Sequence, residues 1–262
     1  MELKDQSILF FTRTMYLGGT ENVVLQQIEA FKPYVKNIVV CSCGGVNVER
    51  LTAMGIKHYE IPDVTQKNLS TFMTTSKALK KIIKDEDITI IHTEHRMAAL
   101  YVSLLGLYKK CLFINTSHNT FQSQRSLTRF AYKHANIIAC GGMVKKNLVD
   151  YFGLPDQQVT VIHNAIKPFT DSVTVDPTIE KLHQNGYFVV GNVGRLSEQK
   201  GMEYFIDAIP AVLKRYAKTQ FLIIGTGELE EELKKRVSDL KIEGAVIFMG
   251  YRSDIQNVMS QL

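Results

Sequence analysis

The sequence predicts an α/β protein made of two parallel-sheet units, the sheets covered by helices on both faces. Three observations lead there. Short runs that are apolar throughout alternate with longer stretches of helical periodicity along the chain, the pattern of strands buried on both sides. Glycine turns at Gly18-Gly19, Gly194 and Gly225-Thr226-Gly227 follow apolar runs, where a parallel strand hands over to a helix. An irregular stretch from Asn164 to Asn185, holding Pro168, Asp171, Ser172, Asp176 and Pro177, interrupts the alternation and marks a domain boundary.

In the first half the apolar runs predict strands over 7–12, 37–42, 57–61, 88–92, 112–116, 137–140 and 159–162. Helical periodicity between them predicts helices over 20–31, 69–84, 97–107, 126–133 and 143–152. After the boundary the alternation restarts, with strands over 188–193, 221–224 and 245–249. Helices are expected over 202–216 and 229–240, with a last one from Ser253. In the 202–216 segment Met202, Phe205, Ile206, Ile209, Val212, Leu213 and Tyr216 share one face, and Pro210 is expected to kink it or force a local rearrangement. The reading is thus a first domain over 1–168, a linker over 169–186 and a second domain over 187–262. Three βα units are few for a doubly wound domain, so the second domain is expected to be incomplete.

Composition is that of a soluble globular protein, 45% hydrophobic and 22% charged over 262 residues. The net charge of +5 is uneven. Residues 1–168 carry 20 Lys/Arg against 13 Asp/Glu, and residues 169–262 carry 11 against 13. A basic first half suits an acidic partner or an anionic membrane surface, and equally a plain solubility pattern. Cys41, Cys43, Cys111 and Cys140 lie in or beside strand-like runs without disulfide or zinc spacing and read as buried thiols of a reducing compartment. The charged N-terminus lacks a signal-peptide core, and the apolar run around Tyr101–Tyr108 is too short to span a bilayer. A cytoplasmic protein, at most peripheral to a membrane, is expected.

The segment with most chemistry is Gly191-Asn-Val-Gly194-Arg195-Leu-Ser-Glu-Gln-Lys200-Gly201, a strand end, a glycine turn and a helix start. Backbone N–H groups and the helix dipole favour an anion there. Arg195 adds a fixed fork for two phosphate oxygens and Lys200 a mobile point charge, together a diphosphate clamp that needs no metal. Gly225-Thr-Gly227-Glu228 follows another strand, where α/β folds bind nucleotides, though such glycines also serve turn geometry; the third glycine of a dinucleotide fingerprint is missing. Gly18-Gly19-Thr20-Glu21 reads either as a helix start open to an anion or as a tight turn capped by Thr20.

His92, His95 and His118 are expected just beyond strand ends. His92-Thr-Glu94-His95 lacks the i, i+4 spacing of zinc hydrolases, so hydrogen bonding to a sugar or phosphate is the better reading, His118 foremost. Asp85-Glu86-Asp87 precedes a strand, on the far edge of the sheet, and reads as a solvated loop. Lys77, Lys80, Lys81 and Lys84, and separately Arg125, Arg129 and Lys133, read as solvated faces of crossover helices or as contacts for anionic lipid.

Together these segments resemble glycosyltransferase family 4. The resemblance is carried by Gly-Gly-Thr-Glu (18–21), Ile-Ile-His-Thr-Glu-His (90–95), His118-Asn119, Val161-Ile-His-Asn-Ala165, Gly194–Gly201, Gly225–Glu228 and Phe248-Met-Gly-Tyr251. It implies the GT-B fold of two Rossmann-like domains and a retaining sugar transfer from a nucleotide diphosphate sugar, UDP- or GDP-linked, without metal or other cofactor. By the resemblance Arg195 and Lys200 hold the leaving diphosphate, and Gly18 and Gly19 let the donor approach the first domain. His118 touches the transferred sugar, Gly225 and Gly227 line the donor site, and Gly250 and Tyr251 lie near the base. The acceptor, a glycan or lipid-linked, would rest on the basic first domain. No nucleic-acid partner is expected. Ala165 stands where the family has glycine, and the paired-glutamate segment expected after Leu262 is absent, which reads as a C-terminal truncation. The rival readings are a sugar-nucleotide epimerase and a nucleotide-sugar-binding fragment that does not catalyse.

Overall fold

The computed structural model describes residues 2–166 and 168–262, and the chain divides after Ala165 into two compact units. In the first, seven parallel strands run in the order β3-β2-β1-β4-β5-β6-β7. They are β1 (Ser7–Phe11), β2 (Asn37–Ser42), β3 (Lys57–Glu60), β4 (Ile90–Thr93), β5 (Leu112–Ser117), β6 (Asn136–Ala139) and β7 (Val159–Val161). The helices between them are α1 (Gly19–Phe31), α2 (Val48–Ala53), α3 (Leu69–Asp85), α4 (Arg96–Leu104), α5 (Arg125–Tyr132) and α6 (Gly142–Lys146). β1 shows why its sequence has no polar alternation. Leu9 and Phe11 enter one core with α3, α4 and α5, while Ile8 and Phe10 enter the other with α1 and α2. Strand order reverses between β1 and β4, so the connections after them diverge to opposite faces and leave a crevice at their carboxyl ends.

The short α2 has no counterpart among the expected elements; six residues with one buried side chain, Leu51, leave too little periodicity to detect. The helix expected over 143–152 is instead α6 followed by a π-helical turn, Asn147–Tyr151. Asn147 there bridges to the loop after β5, accepting from Phe121 N at 3.1 Å and donating to Phe121 O at 3.1 Å.

Asp85 and Asp87 of the acidic triplet are solvent-exposed, as expected, but Glu86 is not. Glu86 accepts from Lys57, Tyr59 and Asn37, and Asp87 pairs with Lys36, so both carboxylates tie the β2–β3 edge to the end of α3. Leu79 and Ile82 of α3 are buried, which leaves Lys77, Lys80, Lys81 and Lys84 on its exposed face. All four cysteines are free, but only Cys41 and Cys111 are buried; Cys43 and Cys140 are half-buried beside loops.

The second unit has three parallel strands in the order β10-β9-β8: β8 (Phe188–Val193), β9 (Thr219–Ile224) and β10 (Val246–Gly250). Phe221 and Ile223 face α8 (Met202–Arg215) and α9 (Glu230–Asp239), and Leu222 and Ile224 face α7 (Pro177–Gln184) and α10 (Ile255–Met259). α8 runs unbroken through Pro210, held by Met202, Ile206 and Ile209 in the core, so the expected kink does not interrupt it.

α7 corrects the expectation of an irregular stretch up to Asn185. Its N-cap is Asp176, whose Oδ1 accepts from Thr178 N at 2.9 Å and Ile179 N at 3.3 Å, with Pro177 in the first turn. Ile179 packs with Val189, Leu222 and Val258. Arg252 Nη1 donates to the other carboxyl oxygen at 2.6 Å. Burial alone would raise the Asp176 carboxyl, but Arg252 and the two amides outweigh it and hold it below its ordinary value of 3.8. Its stabilising contribution is therefore present above that value and is lost as pH falls below it. Asp176→Ala is expected to cost about 1–2 kcal/mol at pH 7, and the difference in melting temperature from wild type should shrink at pH 3.

Candidate functional site

In the first unit the groups with chemistry collect at the reversal of strand order. A cavity of about 210 Å³ there is lined by Thr20, Glu94, His95, Arg96, His118 and Asn119 among others. Three strand ends supply them: Thr20 comes after β1, Glu94 to Arg96 after β4, and His118 and Asn119 after β5. His118, singled out from sequence, is hydrogen-bonded through Nε2 to Glu94 Oε2 at 2.7 Å, and Glu94's side chain is 0% exposed. His92 lies within β4, not beyond it. It is buried against Phe10, with ring centroids 5.1 Å apart, and its Nε2 is 2.7 Å from Thr116 Oγ1. Burial lowers its pKa, against the pull of Glu94. His95 is the N-cap of α4 and accepts from Met97 N at 3.1 Å. Burial, then Arg13 and Arg96, push it down to about 4, so it stays neutral. Arg96 reaches Ser123 O and Thr128 Oγ1, each at 3.2 Å, and lies over the Phe121 ring.

Gly18 and Gly19 open α1, and Thr20 is its second residue, not its cap; the N-cap is Gly18, in extended backbone. Neither glycine is demanded by turn geometry. A Cβ at Gly19 would meet nothing within 4 Å, and one at Gly18 only the movable Glu21 carboxylate. Gly19 is therefore replaceable as far as the fold is concerned and faces open space, while the Gly18 backbone faces the Glu21 carboxylate, which Thr14 also holds.

In the second unit Arg195, Lys200, Gly225, Gly227, Gly250 and Tyr251 all lie at the carboxyl edge of the sheet. Three loops interlock there. Gly194 N donates to Ile224 O at 3.0 Å, Leu196 N to Thr226 O at 3.0 Å, and Gly225 N to Gly250 O at 2.8 Å. A Cβ on Gly225 would lie 2.0 Å from Gly194 O and one on Gly227 2.2 Å from Leu196 O. The glycines of 225–227 thus let one backbone lie on another.

The cations do not sit on the first turn of α8. Arg195 is on the loop, Lys200 ends a 3₁₀ turn (Glu198–Lys200), and Gly201, at φ 60°, separates both from the helix. The Lys200 stem lies over Gly194. Arg195, with its side chain 72% exposed, reaches Glu228 Oε2 at 3.1 Å. Tyr251 is exposed beside Gly250.

Glu94 and Glu228 are the residues that sequence reasoning passed over. Each was signalled by its position, between two histidines in one case and beside a glycine turn in the other. Among the described residues no group of three His, Cys, Asp or Glu is placed to hold a metal ion, and no helix is long and apolar enough to cross a membrane.

Comparison with known proteins agrees with this layout. Residues 17–168 match Glycosyltransferase Family 4, and residues 187–262 match the glycosyl transferases group 1. An uncharacterized glycosyltransferase of Methanocaldococcus jannaschii is 28% identical over 127 residues, 46% of this chain and 32% of that protein. One subunit of human phosphatidylinositol N-acetylglucosaminyltransferase is 27% identical over 94% of this chain and 53% of its own length. The chain thus spans about a third to a half of these curated relatives. Among solved structures, a Rickettsia africae glycosyltransferase superposes with a TM-score of 0.79 at 19% identity, covering 97% of this chain and 70% of that one. Anabaena HepE in complex with UDP-glucose gives 0.74 at 20%, covering 97% and 71%. The fold is therefore α/β of the GT-B type, with seven parallel strands in the first unit and three in the second. With more than half of its length matched, the chain belongs to glycosyltransferase family 4.

Proposed function

We propose that this chain is part of a retaining glycosyltransferase that moves a sugar from a UDP- or GDP-linked donor to a glycan or lipid-linked acceptor in polysaccharide or glycolipid assembly. The observation that carries the reading is the pair Arg195 and Lys200 on a glycine-braced loop at the carboxyl edge of a parallel sheet, both exposed. Those are the groups and the place for a diphosphate whose charge grows as the sugar leaves. The HepE structures with UDP and with UDP-glucose support a nucleotide sugar as donor.

In this reading Arg195 and Lys200 bind the diphosphate and neutralise the leaving charge. Gly225 and Gly227 keep the loops close enough for backbone to face it, and Gly250 and Tyr251 flank the base. Gly18 and Gly19 leave room for the donor, and His118 hydrogen-bonds the transferred sugar. The excess of basic residues over 1–168 suits an anionic or lipid-linked acceptor at the cytoplasmic face of a membrane.

The test is a transfer assay with UDP- and GDP-sugars and a lipid acceptor on the full-length protein. Nucleoside diphosphate should appear in step with the glycosylated product, and the rate should be unchanged by a chelator, because the two cations do the work of a metal. Conversion of the donor alone to an epimerised sugar nucleotide, or nucleotide binding without transfer, would overturn the reading.

A further inference from the structure

Glu94 is a carboxylate with no exposed side-chain surface, and neither donor binding nor charge neutralisation uses it. Removing such a group from water costs several kcal/mol, and the carboxylate is only partly compensated. Oε2 accepts from His118 Nε2 at 2.7 Å, while Oε1, 3.3 Å from His92 Nε2, has no hydrogen-bond partner among the described residues. A group so placed adds little to stability.

Its geometry does fix one thing. A carboxylate oxygen accepts, so the 2.7 Å contact calls for the ring proton on Nε2, and a ring that carries that one proton keeps a lone pair on Nδ1. On its other side the carboxylate meets His92, which is pinned by Phe10 and Thr116 and has no room to swing. His118 in turn is 11% exposed and lines the cavity that Thr20 and Asn119 also reach.

We propose that Glu94 is a positioning residue that locks His118 as the Nε2–H tautomer, so that Nδ1 serves as an acceptor for a hydroxyl of the transferred sugar. His92 and Thr116 form the wall that keeps the carboxylate in place. The hydroxyl rests on the proposed transferase function; the tautomer does not.

Long-range ¹H–¹⁵N NMR of the histidine-labelled full-length protein, with His118 assigned through His118→Asn, should show Nε2 protonated and Nδ1 bare. In Glu94→Leu the Nε2 proton should lose the downfield shift of a charge-assisted hydrogen bond and the Nδ1–H form should gain population. In the transfer assay Glu94→Leu should lower kcat about 10- to 100-fold, the range for one lost charge-assisted hydrogen bond, with the KM for donor within about twofold. Glu94→Gln, which keeps an oxygen facing Nε2, should recover all but about fivefold of the rate. Adding His118→Asn to Glu94→Leu should cost nothing more, since the two act as one unit.

A wild-type His118 protonated on Nδ1 would overturn the proposal, and so would multiplicative losses in the double variant. The wild-type spectrum needs no variant to fold. If no donor supports transfer at all, the transferase reading falls and the spectrum still decides the role of Glu94.

Discussion

Alanine at Arg195 or at Lys200 lowers the rate of nucleoside diphosphate release by about 10²- to 10³-fold, the cost of removing one preorganised donor to a developing negative charge, and leaves the melting temperature where it was. The second half of that expectation comes from exposure. Among the described residues the Arg195 side chain pairs with Glu228, on the surface, and an ion pair so open to water holds little of the fold. Lys200 is likewise exposed, its stem resting on Gly194. The contrast between a large loss of turnover and an unmoved melting curve separates a functional cation from a structural one. Arg195→Lys keeps the charge but loses the bidentate fork and should recover only part of the rate. Wild-type rates in both alanine variants would remove the diphosphate clamp from the mechanism.

Alanine at Gly225 destabilises the protein by about 3 kcal/mol or more and abolishes nucleotide binding with it. The Cβ would sit 2.0 Å from a backbone carbonyl oxygen, that of Gly194, on a residue held at φ 139°. No rotamer relieves that contact. Either the loop carrying Arg195 moves or the hydrogen bonds from Gly194, Leu196 and Gly225 break. Gly227→Ala meets the Leu196 backbone in the same way. Gly244→Ala is the matched control, because a Cβ there meets nothing within 4 Å. Urea midpoints and nucleotide titration of the three variants read the difference. An unshifted midpoint for Gly225→Ala would mean that the interlocking of loops is not what the glycines are for.

Sequence periodicity was enough to place the strands and most helices, because strands buried on both faces, such as Ser7–Phe11, are unmistakable as continuous apolar runs. It failed where elements are short or polar. α7 exposes most of its eight residues, yet Asp176-Pro177 carried the cap signal that periodicity did not. The candidate residues Arg195, Lys200, the glycines and His118 stood out by type and turn context. Their partners were not. Glu94 meets His118 only because β4 and β5 are neighbours, and Arg195 meets Glu228 only because β8 and β9 are. Which strands pair is a property of the whole sheet, invisible within any one segment. The same limit hid the reason for Gly225 and Gly227, whose close neighbour is a backbone some thirty residues earlier in the chain.

The π-helical turn at Asn147–Tyr151 bears on which length changes this family member tolerates. Such a turn holds one residue more than the α-helix it interrupts. The wide turn absorbs that extra residue, so the helical faces before and after it keep their register, and losing it would leave them aligned. Asn147 and Tyr151 grip the segment after His118 from this turn, Asn147 at both polar atoms of Phe121 and Tyr151 at the carbonyl of Gln122. Replacing the Asn147 amide with an apolar side chain, far from any reacting group in sequence, would thus release the loop that follows His118. A substitution at Asp150, the exposed position of the same turn, would leave it held.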